Sequence, residues 1–322
     1  MSSNGIYNMA TNNKTLQQKL IFDMIAFTLF VAEDKREAIR NKINDPEFYE
    51  PYKRKVYPNS ITNRYNNKYE FSIYNDTIIK LEIYPINKSH NFLRVEYNPT
   101  KLTKIGRVKL RLFLIKLLGI TIMKTIYFHA VVTRLDLTLD VYDMEANLYI
   151  QKNRAIQSSH FRASDGKLSS QIIGSDRSNC RITMYDKNLE QQNNTDHTNT
   201  NYQRIEVRRR KLNCSMNNLN EGLLKELKQL NFYSATLFDE VGFSKKFLNN
   251  VVNDGLNSAL AKLDDNKRRR YKRYLDDYRV YPIALDNLNF EQARLDALGS
   301  LIQLQYQEKY QKYHDEYLDA AA

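Results

Sequence analysis

The chain has 322 residues, 42% of them hydrophobic, which is enough for one large domain or two ordinary ones. Its 49 Lys and Arg outnumber its 37 Asp and Glu, giving a formal charge of +12 that predicts an acidic partner such as nucleic acid. The 9 glycines and 6 prolines argue against long flexible linkers, and the spacing of Cys180 and Cys214 fits neither a zinc site nor a disulfide framework.

The hydropathy pattern predicts no association with a membrane. The apolar run from Leu20 to Val31 is too short to cross a bilayer and contains Asp23. The first ten residues lack the charged and apolar segments of a signal peptide. We therefore expect a cytoplasmic protein.

Strand and helix patterns alternate through the first part of the chain. The pattern predicts a strand over residues 18–30 and a charged helix over residues 33–43. Strands follow at 69–74, 78–84 and 92–97, and a cationic amphipathic helix covers 102–119 after the stop at Asn98-Pro99.

A second series begins at residue 127. We predict a strand over 127–141, a helix over 145–153 with Asp143 as its N-cap, and strands near 168–173, 180–185 and 203–209. From 217 onward the pattern is helical. Gly242 lies between two apolar stretches, as in a helix-turn-helix or a plain helical hairpin, and a long helix covers 290–318.

The two series have the same order: strand, helix, three strands, helix. We align Asp23 with Asp136, Tyr84 with Tyr185, and the pair Arg94 and Glu96 with Arg204 and Glu206. The predicted fold class is α+β. Duplicated units, 18–119 and 127–213, form two mostly antiparallel sheets in a curved saddle, and a helical C-terminal region follows.

Polar residues alternate with aliphatics along two of the second unit's strands. Successive side chains of a strand point to opposite faces, so Arg134, Asp136 and Asp140 share one face. Glu206 and Arg208 do the same on another strand. Carboxylates that hold a divalent metal, a tyrosine nucleophile and phosphate-binding cations together make a phosphodiester-cleaving set.

The two units differ in chemistry. The second has the extra acid Asp140, the adjacent Arg134, and Lys187 two residues after its tyrosine, on the same strand face. The first has Pro85 directly after Tyr84. We therefore expect the second unit to be active and the first to be structural or to grip substrate.

On these motifs the chain resembles the Rep_trans family, the replication initiators of staphylococcal-type rolling-circle plasmids, with related phage initiators and conjugative-element relaxases. The resemblance covers roughly residues 20–211. It rests on the segments 92–102, 134–140, 185–190 and 204–208, and the Tyr-x-Lys-x-x-Glu block starting at Tyr185 is its most specific part.

The resemblance implies an enzyme that nicks one strand of origin DNA and later rejoins it. The family's nucleophile falls on Tyr185, with Lys187 and Arg134 assisting. Its metal-binding acids fall on Asp136 and Glu206, with Asp140 and Glu96 as further candidates. Oxygen ligands of this kind favour Mg²⁺ or Mn²⁺.

The densest basic run of the chain, residues 267–274, lies in the tail. On a helix it forms a cationic face with tyrosines between the charges, which suits phosphate contact and base stacking, although such runs are often solvated faces. The predicted DNA-binding residues are Lys267, Arg268, Arg269, Arg270, Lys272 and Arg273, together with Arg208 and Arg210.

These inferences predict a nicking and strand-joining catalytic domain over 15–213 and a DNA-binding or oligomerisation region over 214–322. The expected partners are origin DNA with a hairpin or single-stranded nick site, a host helicase, and a second copy in a homodimer. Two alternatives stay open: a conjugative relaxase of the same family, and a non-catalytic nucleic-acid-binding protein. The latter would need neither Asp136 nor Tyr185.

Overall fold

A single ten-stranded antiparallel sheet forms the centre of the molecule. The computed structural model describes residues 16–58, 64–75, 77–144, 148–152, 158–162, 168–187, 202–234, 237–240 and 242–302. The strands are β1 Gln18–Leu29, β2 Lys55–Pro58, β3 Tyr65–Tyr74, β4 Thr77–Pro85, β5 Leu93–Tyr97, β6 Val131–Tyr142, β7 Leu148–Lys152, β8 Ser158–Arg162, β9 Leu168–Ile173, β10 Cys180–Asp186, β11 Tyr202–Ser215, β12 Leu230–Ser234 and β13 Arg279–Val280.

Among the described residues, two helices follow β1, two precede β6, and the others lie in the tail after β11. They are α1 Glu33–Asn44, α2 Pro46–Tyr49, α3 Lys104–Leu118, α4 Ile120–His129, α5 Lys225–Lys228, α6 Leu237–Glu240, α7 Lys245–Asp254, α8 Leu256–Ala261, α9 Asp265–Asp277 and α10 Phe290–Ile302. Short 3-10 turns occur at Glu50–Tyr52, Pro99–Lys101, Met216–Asn218, Glu221–Leu224 and Leu285–Asn287.

The strand order of the large sheet is β2-β3-β4-β5-β1-β6-β11-β10-β9-β8. The order outward from β1 therefore mirrors the order outward from β6, so we call these the first and second halves of the sheet. The α+β class is confirmed. The prediction of two sheets is wrong, because β1 and β6 pair with each other from Gln18 opposite Val141 to Thr28 opposite Val131.

One face of the sheet is apolar and packs against helices. Alternation along β1 and β6 buries Ile25, Phe27, Leu135 and Leu137 in a common core with α1, α3, α4 and α10. Helix α10 closes this layer from the tail: the Phe290 ring lies 5.4 Å from that of Phe22. The opposite face carries the charged side chains, and we call it the polar face.

The tail also builds a smaller module with its own core. Strands β7, β12 and β13 form a three-stranded antiparallel sheet. Tyr149 and Tyr233 from this sheet pack with Phe247, Leu260 and Tyr271 of α7, α8 and α9. The strand β7 comes from the second half of the chain's repeat, so this module joins residues far apart in sequence.

The structure departs from three predictions. The predicted strand over 127–141 is confirmed from Val131 onward, but Tyr127 is helical, because Met123 and Ile126 bury one face of α4. The predicted helix over 145–153 contains strand β7, whose first three residues are all buried, and Asp143 sits in a left-handed turn with φ 56°. The tail is not wholly helical, since Leu230–Ser234 is the central strand of the smaller sheet.

Two further points concern the helices. The predicted long helix over 290–318 is described as α10 up to Ile302, and the rest of that range lies outside the described residues. No described helix is long and apolar enough to cross a membrane by itself. Helices α3 and α4 meet the length and composition test only when taken together, across a bend of 109°.

Candidate functional site

The polar face of β6, β10 and β11 brings most of the predicted site residues together. Strand pairing sets Asp136 opposite Arg208 and Asp140 opposite Arg204. It sets Tyr185 opposite Arg204 on the other side of β11. Because the apolar residues of these strands take the core face, the charged residues are left side by side on the polar face.

Arginine–carboxylate pairs organise this face. Arg204 grips Asp140 with both ends of its guanidinium, at 2.6 Å from Nε to Oδ1 and 2.7 Å from NH2 to Oδ2. Burial opposes the charge of Arg204, but the hydrogen bonds and charge of Asp140 outweigh it and raise the pKa of Arg204. A fixed bidentate pair of this kind orients the guanidinium and keeps it charged.

Asp136 is held by two arginines. Arg134 donates to it at 2.9 Å (Nε to Oδ1) and 2.5 Å (NH2 to Oδ2), and Arg208 donates to Oδ2 at 3.1 Å. Arg208 also donates to Glu206 at 3.1 Å. The arginine predicted to bind DNA therefore bridges the two acids predicted to bind metal.

Glu206 lies in surroundings that disfavour its negative charge. Burial raises its pKa, the negative charges of Asp136 and Asp23 raise it further, and Arg208 only partly opposes them. Arg208 contacts its Oε1. Within the described residues, its second oxygen has no hydrogen-bond partner, so Glu206 retains an oxygen for a cation.

Asp23 also lies near Glu206 and was not among the predicted metal-binding acids. The pairing of β1 with β6 is irregular between Phe22 and Met24, which places Asp23 in a bulge. Its Oδ1 accepts from Thr100 at 3.0 Å and from Asn98 at 3.3 Å. The repeat alignment with Asp136 was the signal that could have identified it.

Tyr185 lies half-buried near the end of β10. Its side chain interacts electrostatically with Arg204. The Nζ of Lys187 lies 5.7 Å from the centre of its ring. The structure thus brings Tyr185, Lys187 and Arg204 together. Arg204 was part of the quoted motif but was not predicted as a site residue, because its position opposite Tyr185 depends on strand register.

Tyr84 does not reproduce this position in the first half. It has a left-handed φ of 59°, its hydroxyl donates to Glu37 of α1 at 3.1 Å, and its ring packs against the core at Phe92. By register it is Glu82 that lies opposite Arg94, as Tyr185 lies opposite Arg204. The predicted alignment of the two tyrosines is therefore displaced by two residues in the structure.

Glu96 links the two halves. Arg94 donates to it at 2.5 Å, Lys80 lies at 3.8 Å, and Arg134 from the second half lies at 3.5 Å. Burial raises the pKa of Glu96, but these three cations outweigh burial and hold it below the ordinary value. Its oxygens are occupied by cations already present.

The carboxylates suit a hard divalent cation in chemical type, but they are not gathered around one point. Among the described residues, no three Asp, Glu, His or Cys side chains are arranged as a ready metal site. Asp136 and Asp140 each have both oxygens on arginine. Glu206 and Asp23 each have one oxygen without a described partner, and Mg²⁺ is commonly bound by one or two carboxylates plus substrate phosphate.

The tail cations divide into two groups. Arg268 is used internally: its Nε donates to the Leu260 carbonyl at 3.1 Å and its NH2 to that of Leu263 at 2.7 Å. Lys267 pairs with Asp264 at 3.2 Å. The interleaved Tyr271 is buried rather than available for stacking on bases.

The remaining predicted DNA-binding residues vary in exposure. Arg269, Arg270, Lys272 and Arg273 are exposed on α9. Arg210 donates to the carbonyl of Asp176, and burial lowers its pKa. Exposed α9 cations are thus the part of this set that a phosphate could reach most directly.

Comparisons with known proteins add little to this geometry. No protein-family model matches the chain, and no curated protein sequence is significantly similar to it. Among solved structures, the chain is similar to the rolling circle replication initiator protein from Geobacillus stearothermophilus, at 16% sequence identity and a TM-score of 0.38, over 71% of this chain and 90% of that one. Similarity at this level is too low to support a function, so the functional argument rests on the sequence motifs and the site.

Proposed function

We propose that this chain is a DNA strand transferase that initiates rolling-circle replication, with Tyr185 as its nucleophile. The observation that carries the proposal is the position of Tyr185. It stands directly opposite Arg204 on a face where arginines and carboxylates are already fixed against each other. Such a face can bind a phosphodiester and stabilise negative charge on it.

The reaction is an exchange of esters. The Tyr185 oxygen attacks the scissile phosphorus and loses its proton, the bond to one deoxyribose oxygen breaks, and that oxygen leaves as a hydroxyl. The phosphotyrosine formed conserves the bond energy, so a later attack by a strand hydroxyl can rejoin DNA without a nucleotide cofactor. A tyrosine of ordinary pKa near 10 is a weak nucleophile at neutral pH, so the site must assist it.

The arginines and Lys187 supply part of that assistance. Arg204 lies opposite Tyr185, where its fixed positive charge can stabilise the negative charge of the phosphate under attack. Lys187 lies over the same ring and can approach the phosphate. The pairs with Asp140 and Asp136 hold the guanidiniums in place, so little reorganisation accompanies the reaction.

A divalent metal belongs to the proposal as well. Glu206 and Asp23 would hold Mg²⁺ or Mn²⁺, with Asp136 adjacent. When bound, the ion would polarise the phosphodiester and offset the charge of the transition state. Asp136, Asp140 and Glu96 are less suited than predicted to bind the ion directly, because arginines or lysine occupy their oxygens.

One assay tests the chemistry. The protein is incubated with a 5′- or 3′-labelled hairpin carrying the origin nick site, with Mn²⁺ and with EDTA, and a denaturing gel is read for a protein–DNA adduct. We expect an adduct in Mn²⁺ that is absent from Tyr185→Phe. An adduct that persists in the Phe variant would exclude Tyr185 as nucleophile.

Origin binding by the tail is a separate part of the proposal. Because Arg268 holds two carbonyls of its own module, the informative change is Arg269→Ala with Arg273→Ala, which leaves that contact intact. Loss of two phosphate contacts should flatten the log–log salt dependence of duplex binding by about 2. An unchanged slope would mean that α9 presents only a solvated face. Homodimerisation and recruitment of a host helicase complete the proposal.

A further inference from the structure

The smaller module contains a pocket of about 330 Å³, between its three-stranded sheet and the helices α8 and α9. Its lining is mostly polar. Amides come from Gln151 on β7, Asn231 on β12 and Asn257 on α8, while Leu260 and Leu275 supply apolar surface. A lining this polar favours a ligand that offers hydrogen-bonding groups.

The amide of Gln151 is fixed in orientation. The Tyr233 hydroxyl donates to its Oε1 at 2.9 Å, and its Nε2 donates to Oδ1 of Asn257. Asn257 in turn donates to the Lys152 carbonyl at 2.9 Å. An amide has two donors and two acceptor lone pairs, so Gln151 can still present one of each to a ligand. A paired donor and acceptor is what the edge of a nucleobase recognises.

Two cations border the same pocket. Lys272 on α9 and Arg279 on β13 line it, and neither forms a salt bridge within the described part of the chain. The guanidinium of Arg279 lies 5.1 Å from the ring centre of Tyr281. Asp276 is the carboxylate of the lining and can accept from a base amino group. Cations can bind a phosphate, and the oriented amides beside them can bind the base of the same nucleotide.

We propose that this pocket binds a single nucleotide. The base lies against the small apolar surface of Leu260 and Leu275 with its edge on Gln151, and the phosphate faces Lys272 and Arg279. The same chemistry has two sources: an unpaired nucleotide of a DNA strand, or a free nucleotide. The exposed Arg269 and Arg273 on the helix that carries Lys272 would follow a strand leaving the pocket, so the DNA strand is the favoured source.

The test uses both sources as probes. Binding of the four deoxynucleoside monophosphates is measured by calorimetry, and binding of a fluorescein-labelled single-stranded 12-mer by anisotropy. The variants are Gln151→Met, which removes the amide at similar size, and Lys272→Gln. The matched control is Lys262→Gln, which makes the same charge change in the same module but outside the pocket lining. Thermal melting confirms that each variant is folded.

We expect both pocket variants to weaken at least one probe by about fivefold or more, and the control to match the wild type. Loss confined to the 12-mer identifies a DNA nucleotide as the ligand, and loss of a monophosphate identifies a free nucleotide. Pocket variants that bind every probe as the wild type does would overturn the proposal. The pocket is separate from Tyr185, so adduct formation by Gln151→Met, measured alongside, shows whether the nicking proposal stands independently.

Discussion

Glu96 and Glu206 hold corresponding places in the two halves of the sheet, yet their pKa values move in opposite directions. Burial raises both, but Arg94, Arg134 and Lys80 together bring the pKa of Glu96 below its ordinary value. Around Glu206 the nearby charges of Asp136 and Asp23 reinforce burial and raise it. The cations around Glu96 outweigh its burial, whereas Arg208 and Arg134 do not outweigh burial and the neighbouring acids at Glu206.

The same contrast appears one strand further out. Glu82 stands opposite Arg94 and pairs with it at 2.8 Å, so that arginine is neutralised on both sides by Glu82 and Glu96. Arg204 also has an acid on one side, Asp140, but on its outer side the second half places Tyr185. The two halves therefore differ in the residue opposite the outer side of this arginine: an acid in the first and a tyrosine in the second.

The largest expected effect is on the proposed nucleophile, Tyr185. Tyr185→Phe should reduce adduct formation to background, a loss of about 10⁴-fold or more, while DNA binding is nearly unchanged because only a hydroxyl is removed. Tyr84→Phe is the matched control in the first half and should keep full activity. Adduct gels and anisotropy on the same preparations check both. Activity lost from Tyr84→Phe alone would reverse the assignment of the two halves.

Metal affinity comes next. Asp23→Asn and Glu206→Gln should each weaken Mn²⁺ binding by about 10- to 100-fold, because each removes a carboxylate oxygen that is open to a cation. The thermal shift of the protein on Mn²⁺ titration measures this without an activity assay. Glu70→Gln, on the polar face of the first half, should leave the titration unchanged. Equal shifts in all three variants would place the ion elsewhere.

A smaller effect is expected on stability. Glu96→Gln should destabilise the fold by about 2 kcal/mol at pH 7, since it removes the anion shared by Arg94 and Arg134. The folded pKa of Glu96 lies below the ordinary 4.5, so its contribution is present above pH 4.5 and is lost as pH falls through the folded pKa. Urea melts at several pH values should therefore converge for variant and wild type in acid.

The smallest effect has the opposite sign. The folded pKa of Glu206 lies above its ordinary value of 4.5, so its ionised form weakens the fold as pH rises through that pKa. Glu206→Gln should then stabilise the protein slightly at pH 7 and not at pH 4. A variant that gains stability while losing Mn²⁺ binding would mark a residue kept for function. Destabilisation at pH 7 would contradict the electrostatic contrast between the halves.

Alternation alone predicted which side chains share the polar face, since a period of two residues is local information. Leu135, Leu137 and Leu139 are buried as expected, and Asp136 and Tyr185 lie on the same side of the sheet. The repeated element order also predicted two similar units, which the structure arranges in mirrored strand order within one sheet.

The sequence did not predict strand register or which strands pair with each other. The left-handed φ of Tyr84 and the bulge at Asp23 each shift one residue out of a regular pattern, and neither is visible in residue type. The segment that forms β7 was predicted to be a helix. Its strand partner, β12, lies about 80 residues away in the tail, so local sequence does not show the pairing. Likewise, residue type alone does not show that Arg268 donates to a carbonyl of the preceding helix, that of Leu260.

The pairing of β1 with β6 has a practical consequence. Asp23 and Glu96 come from the chain before His129, while Arg134, Asp136 and Tyr185 come from the chain after it. Two polypeptides divided between α4 and β6 would each carry an incomplete set of groups, and the polar face would be complete only when their central strands associate. The molecule thus offers a natural point for a split protein, in which the proposed nicking activity would report that two separately expressed fragments have met.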